Sequence, residues 1–121
     1  MSAAPQPDAL EFERITVAFR SREAQGERFN PFLAHAFLNA CETSGSASAR
    51  ASWAPMHVLV ETAAGELVAC APCYLKSHSM GEYVFDYSWA DAYERAGGRY
   101  YPKLQVSVPF TPAQGRRLLV K

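Results

Sequence analysis

Residues 57–71 read HVLVETAAGELVACA, and this stretch decides the architecture. His57-Val-Leu-Val-Glu61 and Glu66-Leu-Val-Ala-Cys-Ala71 are runs of strand length, separated by Thr62 to Gly65. Two such runs joined by a short connection containing glycine predict a β-hairpin. Val58, Leu59 and Val60 are continuously apolar, a pattern expected of a strand covered on both faces. Pro72 follows directly. Having no N–H to give to a ladder, it predicts a bulge or an edge position at the end of the second strand.

Downstream lies the most unusual segment, YLKSHSMGEYVFDYSWADAYERAGGRYYPKLQVSVPFTP (74–112), which holds all six tyrosines and Trp89 among both charge signs. Tyrosine and tryptophan suit places where one end of the ring is buried and the other needs a polar partner, so the segment predicts a binding surface or a polar network that shapes one. Ser88 to Ala96 predicts a short helix. Ser88 and Asp91 match a capping box with Asp in place of Glu, Trp89, Ala92, Tyr93 and Ala96 form one stripe, and Gly97-Gly98 ends it. Lys103 to Val108 alternates, with Leu104, Val106 and Val108 on one face, which predicts a half-buried strand. Pro109 to Pro112 is an extended exit, and Arg117-Leu-Leu-Val120 begins an element that the chain does not finish.

Upstream, Asn30-Pro31 predicts the N-cap and first position of a helix whose stripe is Phe32, Leu33, Ala36, Phe37, Ala40 and Cys41, stopping at Ser44-Gly45. A small-residue loop, Ser46 to Ser52, leads to Trp53 and Pro55. Leu10 to Phe19 alternates with one phase slip and reads as a strand, and Ser21 to Arg28 as a loop. Residues 1–9 read as a disordered leader, leaving 10–121 as a domain. The expected class is α/β (α+β), a mixed or antiparallel sheet with flanking helices.

With 121 residues, 49% hydrophobic and 20% charged, the composition fits one globular domain. Twelve acidic and twelve basic side chains are scattered, so there is no nucleic-acid patch. No apolar run approaches the roughly 20 residues of a membrane segment, the N-terminus does not have the pattern of a secretory signal, and three cysteines do not make a disulfide framework. Cytoplasmic localisation is the expectation.

Cys70-Ala-Pro-Cys73 has redox or zinc spacing, but lies in a strand pattern rather than at a helix N-terminus, and packing is the expected role. Cys41, His35, His57 and His78 have no paired spacing, so no metal site is expected. Ser77-His78-Ser79 with Asp86 offers the residue types of a triad without a strained elbow. Arg95 to Tyr100 nearly matches a pyrophosphate loop, but a strand follows it and the reading is a helix C-cap. Lys76, Asp86, Lys103 and the tyrosines are the residues suited to orienting a polar substrate.

Pro72 to Asp86, Trp89-Ala90, Tyr100 to Leu104 and Val108 to Pro112 together resemble the FemAB-related peptidoglycan biosynthesis/recognition family, grouped with GNAT-like acyltransferases; Asn30 to Phe37 and Glu42 to Gly45 fit the same family. Thr16 to Arg28 departs from it, having no helix with a tryptophan, and members are far longer, so the chain is expected to be the N-terminal part of such a protein, without its C-terminal half and inactive alone. The resemblance implies a partial, incomplete GNAT-like fold and transfer of an acyl or aminoacyl group to an amine. It implies no cofactor in this chain and an acyl-CoA or aminoacyl-tRNA donor in the full-length protein. The acceptor would be a small molecule, peptide or glycan, in a groove lined by Lys76, His78, Tyr83, Asp86, Trp89, Tyr93, Tyr101, Lys103 and Thr111. No catalytic residue is assigned. The alternative is a non-catalytic module that recognises a glycan or peptide through the same Tyr-rich surface.

Overall fold

A computed structural model of the chain describes residues 30–80 and 85–120. The leader, the strand expected over Leu10 to Phe19, the loop after it and Tyr83 lie outside the described residues. The described architecture is mixed α/β. In order come a 3₁₀ turn (Pro31–Leu33), α1 (His35–Thr43), β1 (Ala54–Pro55), β2 (Val58–Glu61), β3 (Leu67–Ala71), β4 (Cys73–Lys76), α2 (Tyr87–Arg95), β5 (Lys103–Val106) and β6 (Leu119–Val120). The strands form two antiparallel three-stranded sheets, ordered β1-β4-β5 and β2-β3-β6.

The 57–71 hairpin is present. Gly65, at φ 85°, donates to the Thr62 carbonyl, and Thr62 donates to the Glu66 carbonyl, closing the turn. Only glycine adopts that φ without steric cost. Pairing then runs Val60 to Ala69, Leu59 to Cys70 and Val58 to Ala71, with an irregularity at Val60/Glu61. The expectation of cover on both faces does not hold: Val58 and Val60 face outward, and Leu59 packs on a cluster of Leu38, Cys70 and Leu119. A continuous apolar run therefore marks a strand with one packed face here.

Pro72 does more than bulge a strand. Pro55 pairs with Tyr74 and Val58 with Ala71, so Met56-His57 lies opposite Pro72-Cys73 and one register continues across the break. β1–β2 and β3–β4 are thus the two arms of a single long hairpin, divided between two sheets. Met56 still donates to the Cys73 carbonyl at 2.8 Å. The Cys73 N–H turns instead to the His57 side chain, donating to Nδ1 at 3.2 Å. A ring nitrogen that accepts carries no proton, so His57 is the Nε2–H tautomer and donates to Glu42 Oε1 at 2.6 Å. The imidazole pins α1 to the break. Its ring also meets Tyr74 edge-on at 5.2 Å.

Asn30 caps as expected, Oδ1 accepting from the Phe32 N–H at 3.0 Å, but it caps the 3₁₀ turn; the helix restarts after Ala34, whose ψ is 141°. The reason lies in Leu33 and Leu38, both buried. Five positions on one helix are about 140° apart, so no continuous stripe buries both. The break resets the phase, and Ala36 and Ala40 of the expected stripe are exposed.

α2 begins at Tyr87 with Asp86 as N-cap, so the Ser88–Asp91 capping box does not form. Its end is as read: Gly97 donates to Glu94 and Gly98 to Tyr93, the two bonds of a Schellman motif. Its stripe is not packed by the described residues, since Trp89 is 74% and Tyr93 55% exposed, and Ala90 is the buried position. β5 is reversed relative to expectation. Leu104 and Val106 face outward while Lys103, Gln105 and Ser107 turn toward the protein, and Val108 is buried beyond the strand. Leu119 pairs with Cys70 and Val120 with Ala69, and Leu119 is buried in the first cluster. No helix among the described residues is long and apolar enough to cross a membrane.

Candidate functional site

The inward polar row of β5 lines a pocket of about 360 Å³. Lys103, Gln105 and Ser107 form one wall, Trp53 and Phe110 supply aromatic surface, and Ser79, Asp86, Thr111 and Arg117 complete the polar lining. Concave sites with apolar surface and a few convergent polar groups are where small ligands bind.

Asp86 is held from three sides. Its Oδ1 accepts from the Tyr101 hydroxyl and its Oδ2 from the Tyr100 hydroxyl, both at 2.7 Å, and Lys103 Nζ forms an ion pair with Oδ2. Burial alone would raise the Asp86 pKa, but the Lys103 ammonium and the two phenols outweigh it and hold the carboxyl well below the usual carboxylate range. The same geometry pushes Tyr101 up to about 12, through burial and the adjacent carboxylate, and raises Tyr100 chiefly through its bond to Asp86. Lys103 also sits 5.2 and 5.7 Å from the Tyr100 and Tyr101 ring centroids, within cation–π range. Ser79 Oγ is buried and lies close enough to favour the Asp86 charge, but completes no hydrogen bond of normal geometry among the described residues.

Beneath the pocket, Lys76 is fully buried, its Nζ 3.7 Å from the Trp53 ring centroid and donating to the Ser52 carbonyl at 3.1 Å. Ser52 is at φ 62°, an uncommon conformation for a residue with a Cβ. Its Oγ accepts from the backbone N–H groups of Ser77 and His78 at 2.7 and 2.9 Å and donates to the His78 carbonyl at 3.1 Å. Ser52 thereby ties the loop after β4 to the base of Trp53. Trp53 packs against Tyr74 at 5.4 Å and Phe110 at 5.1 Å. Trp53 and Phe110 thus give the pocket a joined aromatic surface.

A family model described as FemAB-like, peptidoglycan biosynthesis/recognition, matches residues 13–121. The chain belongs to the FemAB-like family. No curated protein and no solved structure gave a match. On this FemAB-like chain, Asp86, Lys103 and Thr111 line the pocket and Tyr101 reaches it through Asp86. Lys76 lies below it, as structural support for Trp53, and half-buried His78 bonds to Ser52 through its backbone. Trp89 and Tyr93 stand exposed on α2 and are not part of the lining, and Tyr83 lies outside the described residues.

Sequence reasoning missed Trp53, Gln105, Ser107, Phe110 and Arg117 in the lining; it had Ser79 only as a triad residue type and Tyr100 only as one of the tyrosines suited to a polar substrate. One signal was present: Gln105 and Ser107 share the two-residue phase of Lys103, so placing Lys103 in the site places them there too. Cys70 and Cys73 are free thiols on opposite sides of the hairpin break, and burial pushes Cys70 up to about 11, opposite to redox activation. No cluster of three or more His, Cys, Asp or Glu suited to a metal occurs among the described residues.

Proposed function

We propose that this pocket is the acceptor-binding groove of an N-acyl- or aminoacyltransferase of GNAT-like type, taking a peptide or glycan related to peptidoglycan. The observation that carries the reading is the reversed β5. A strand that turns Leu104 and Val106 outward and Lys103, Gln105 and Ser107 inward directs its polar groups to a ligand rather than to a core. Trp53 and Phe110 offer apolar rings to a sugar or peptide face, and the fixed Asp86–Lys103 pair needs no reorganisation on binding. Family membership supports the substrate class.

Asp86 is poorly suited to be the base in such a transfer. A base that takes a proton from an attacking amine works best with a pKa near the operating pH, and Asp86 lies far below it. Its role is to position Lys103 and the two phenols. That same property favours a second reading, a recognition module that makes no bond.

Thermal-shift titration with soluble muropeptides and with acyl-CoA tests the groove, since a ligand of the native state raises its apparent stability. A muropeptide is expected to raise Tm in the wild type and much less in a Asp86→Ala/Lys103→Ala double variant. An equal shift in both proteins would place the binding elsewhere. Transfer to a muropeptide amine, measured with an acyl donor, separates the enzyme from the recognition module.

A further inference from the structure

The pocket's own charges and hydrogen-bond donors do not balance, and the imbalance has one sign. Asp86 and Lys103 neutralise each other. Arg117 also lines the pocket, and among the described residues its guanidinium meets carbonyl oxygens: NH1 bonds to Gly115 at 3.1 Å and NH2 to Ala113. Among the described residues it pairs with no carboxylate. Arginine carries five N–H donors, so donors remain after those two bonds.

The hydroxyls lean the same way. Ser107 Oγ accepts from Gln105 Nε2 at 2.9 Å, and Thr111 Oγ1 accepts from the Ala113 N–H at 3.2 Å, which leaves the hydrogen of each hydroxyl to give away. Ser79 adds to this. Its Oγ lines the pocket beside Asp86, the residue is 2% exposed, and it completes no hydrogen bond of normal geometry among the described residues. Buried polar atoms are almost always partnered, so a hydroxyl in a pocket wall that only approaches its neighbour has a hydrogen to give to a group that arrives from outside.

We infer that the pocket anchors a free carboxylate, held by Arg117 and received by the hydroxyls of Ser79, Ser107 and Thr111. This rests on the acceptor-groove reading and narrows it: the acceptor enters with its carboxyl end, and an ammonium group finds no unsatisfied acceptor of comparable strength there, because Asp86 already accepts three bonds. A guanidinium matches a carboxylate in plane and charge, which sets this anchor apart from a lysine contact.

The test uses the full chain with two probes, acetyl-alanyl-alanine and its C-terminal amide, titrated by NMR chemical-shift perturbation alongside a soluble muropeptide. The free acid is expected to shift Arg117 and Ser79 resonances and to bind roughly tenfold to a hundredfold more tightly than the amide, the scale of one charge-assisted hydrogen bond. Arg117→Gln is expected to erase that preference, with Arg117→Lys restoring only part of it, while both variants keep the wild-type Tm without ligand to within a few degrees. If acid and amide bind equally in this pocket, the carboxylate anchor is overturned and the acceptor groove stands. If neither probe nor the muropeptide perturbs the pocket residues, both fall.

Discussion

Replacing Asp86 by Asn keeps the shape of the side chain and removes its charge. In the native protein that charge receives two phenolic hydrogen bonds and an ammonium, with the carboxylate 15% and the lysine side chain 22% exposed. Hydrogen bonds to a charged group contribute about 1.5–3 kcal/mol, and removing one partner of a well-buried pair costs about 3–5 kcal/mol. Partial exposure of Lys103 lets water take over some of the loss, so the expected cost at pH 7 is about 2–4 kcal/mol. The sign of the pH dependence follows from the depressed carboxyl pKa. Stability from such a group is complete above the unfolded value of about 3.9 and is lost as pH falls through the folded one. At pH 3 the unfolded chain has already taken up the proton, which removes about 1.3 kcal/mol of the wild-type advantage. Urea denaturation of both proteins at pH 7 and pH 3 reads the two numbers directly. A cost below about 0.5 kcal/mol at pH 7, or a gap that stays constant between the two pH values, would refute the account of Asp86 as a permanently ionised hub.

Other expected outcomes are simpler. Tyr74 Oη is buried with no hydrogen-bond partner among the described residues, so Tyr74→Phe should leave stability unchanged or raise it by up to about 1 kcal/mol in chemical denaturation, where a loss above about 1 kcal/mol would refute this. Ser52→Ala strips the acceptor from two backbone N–H groups and should cost about 2–3 kcal/mol, with faster amide exchange at Ser77 and His78. His57→Ala leaves both the Cys73 N–H and Glu42 unpaired and should cost about 2–4 kcal/mol by the same measurement. The Cys70 thiol, raised to about 11, should resist iodoacetamide at pH 7.5 until the protein unfolds, as mass spectrometry of timed samples would show.

The elements that the sequence announced by local chemistry are where it placed them. Gly65 and Gly97 adopt conformations that other residues avoid, so the hairpin turn and the end of α2 could be read without knowing their surroundings. What pattern alone could not decide was which face turns inward. Alternation in Lys103 to Val108 gives a period of two and is silent on direction; a core would draw in Leu104 and Val106, whereas a pocket draws in Lys103 and Gln105. The helix starts failed for a related reason. Asn30 and Ser88 are both good caps by type, but burial of Leu33 and Leu38 restarted one helix, and the other begins beside Asp86, whose carboxylate is committed to the tyrosines and Lys103. Ser79, Trp53 and Arg117 entered the site through long-range contacts that no spacing rule encodes.

The long hairpin divided at Pro72 has a mechanical consequence. Ladder bonds resist sliding, so its two arms keep step, yet at the proline they lack the bonds that would hold them coplanar. What joins the two plates there is the Met56–Cys73 hydrogen bond and the His57 imidazole. On one side of this joint sits the plate anchored by Leu38 and Leu119, on the other the plate that carries Lys103. A change at His57 therefore acts on the join between the two plates without touching a residue that lines the pocket.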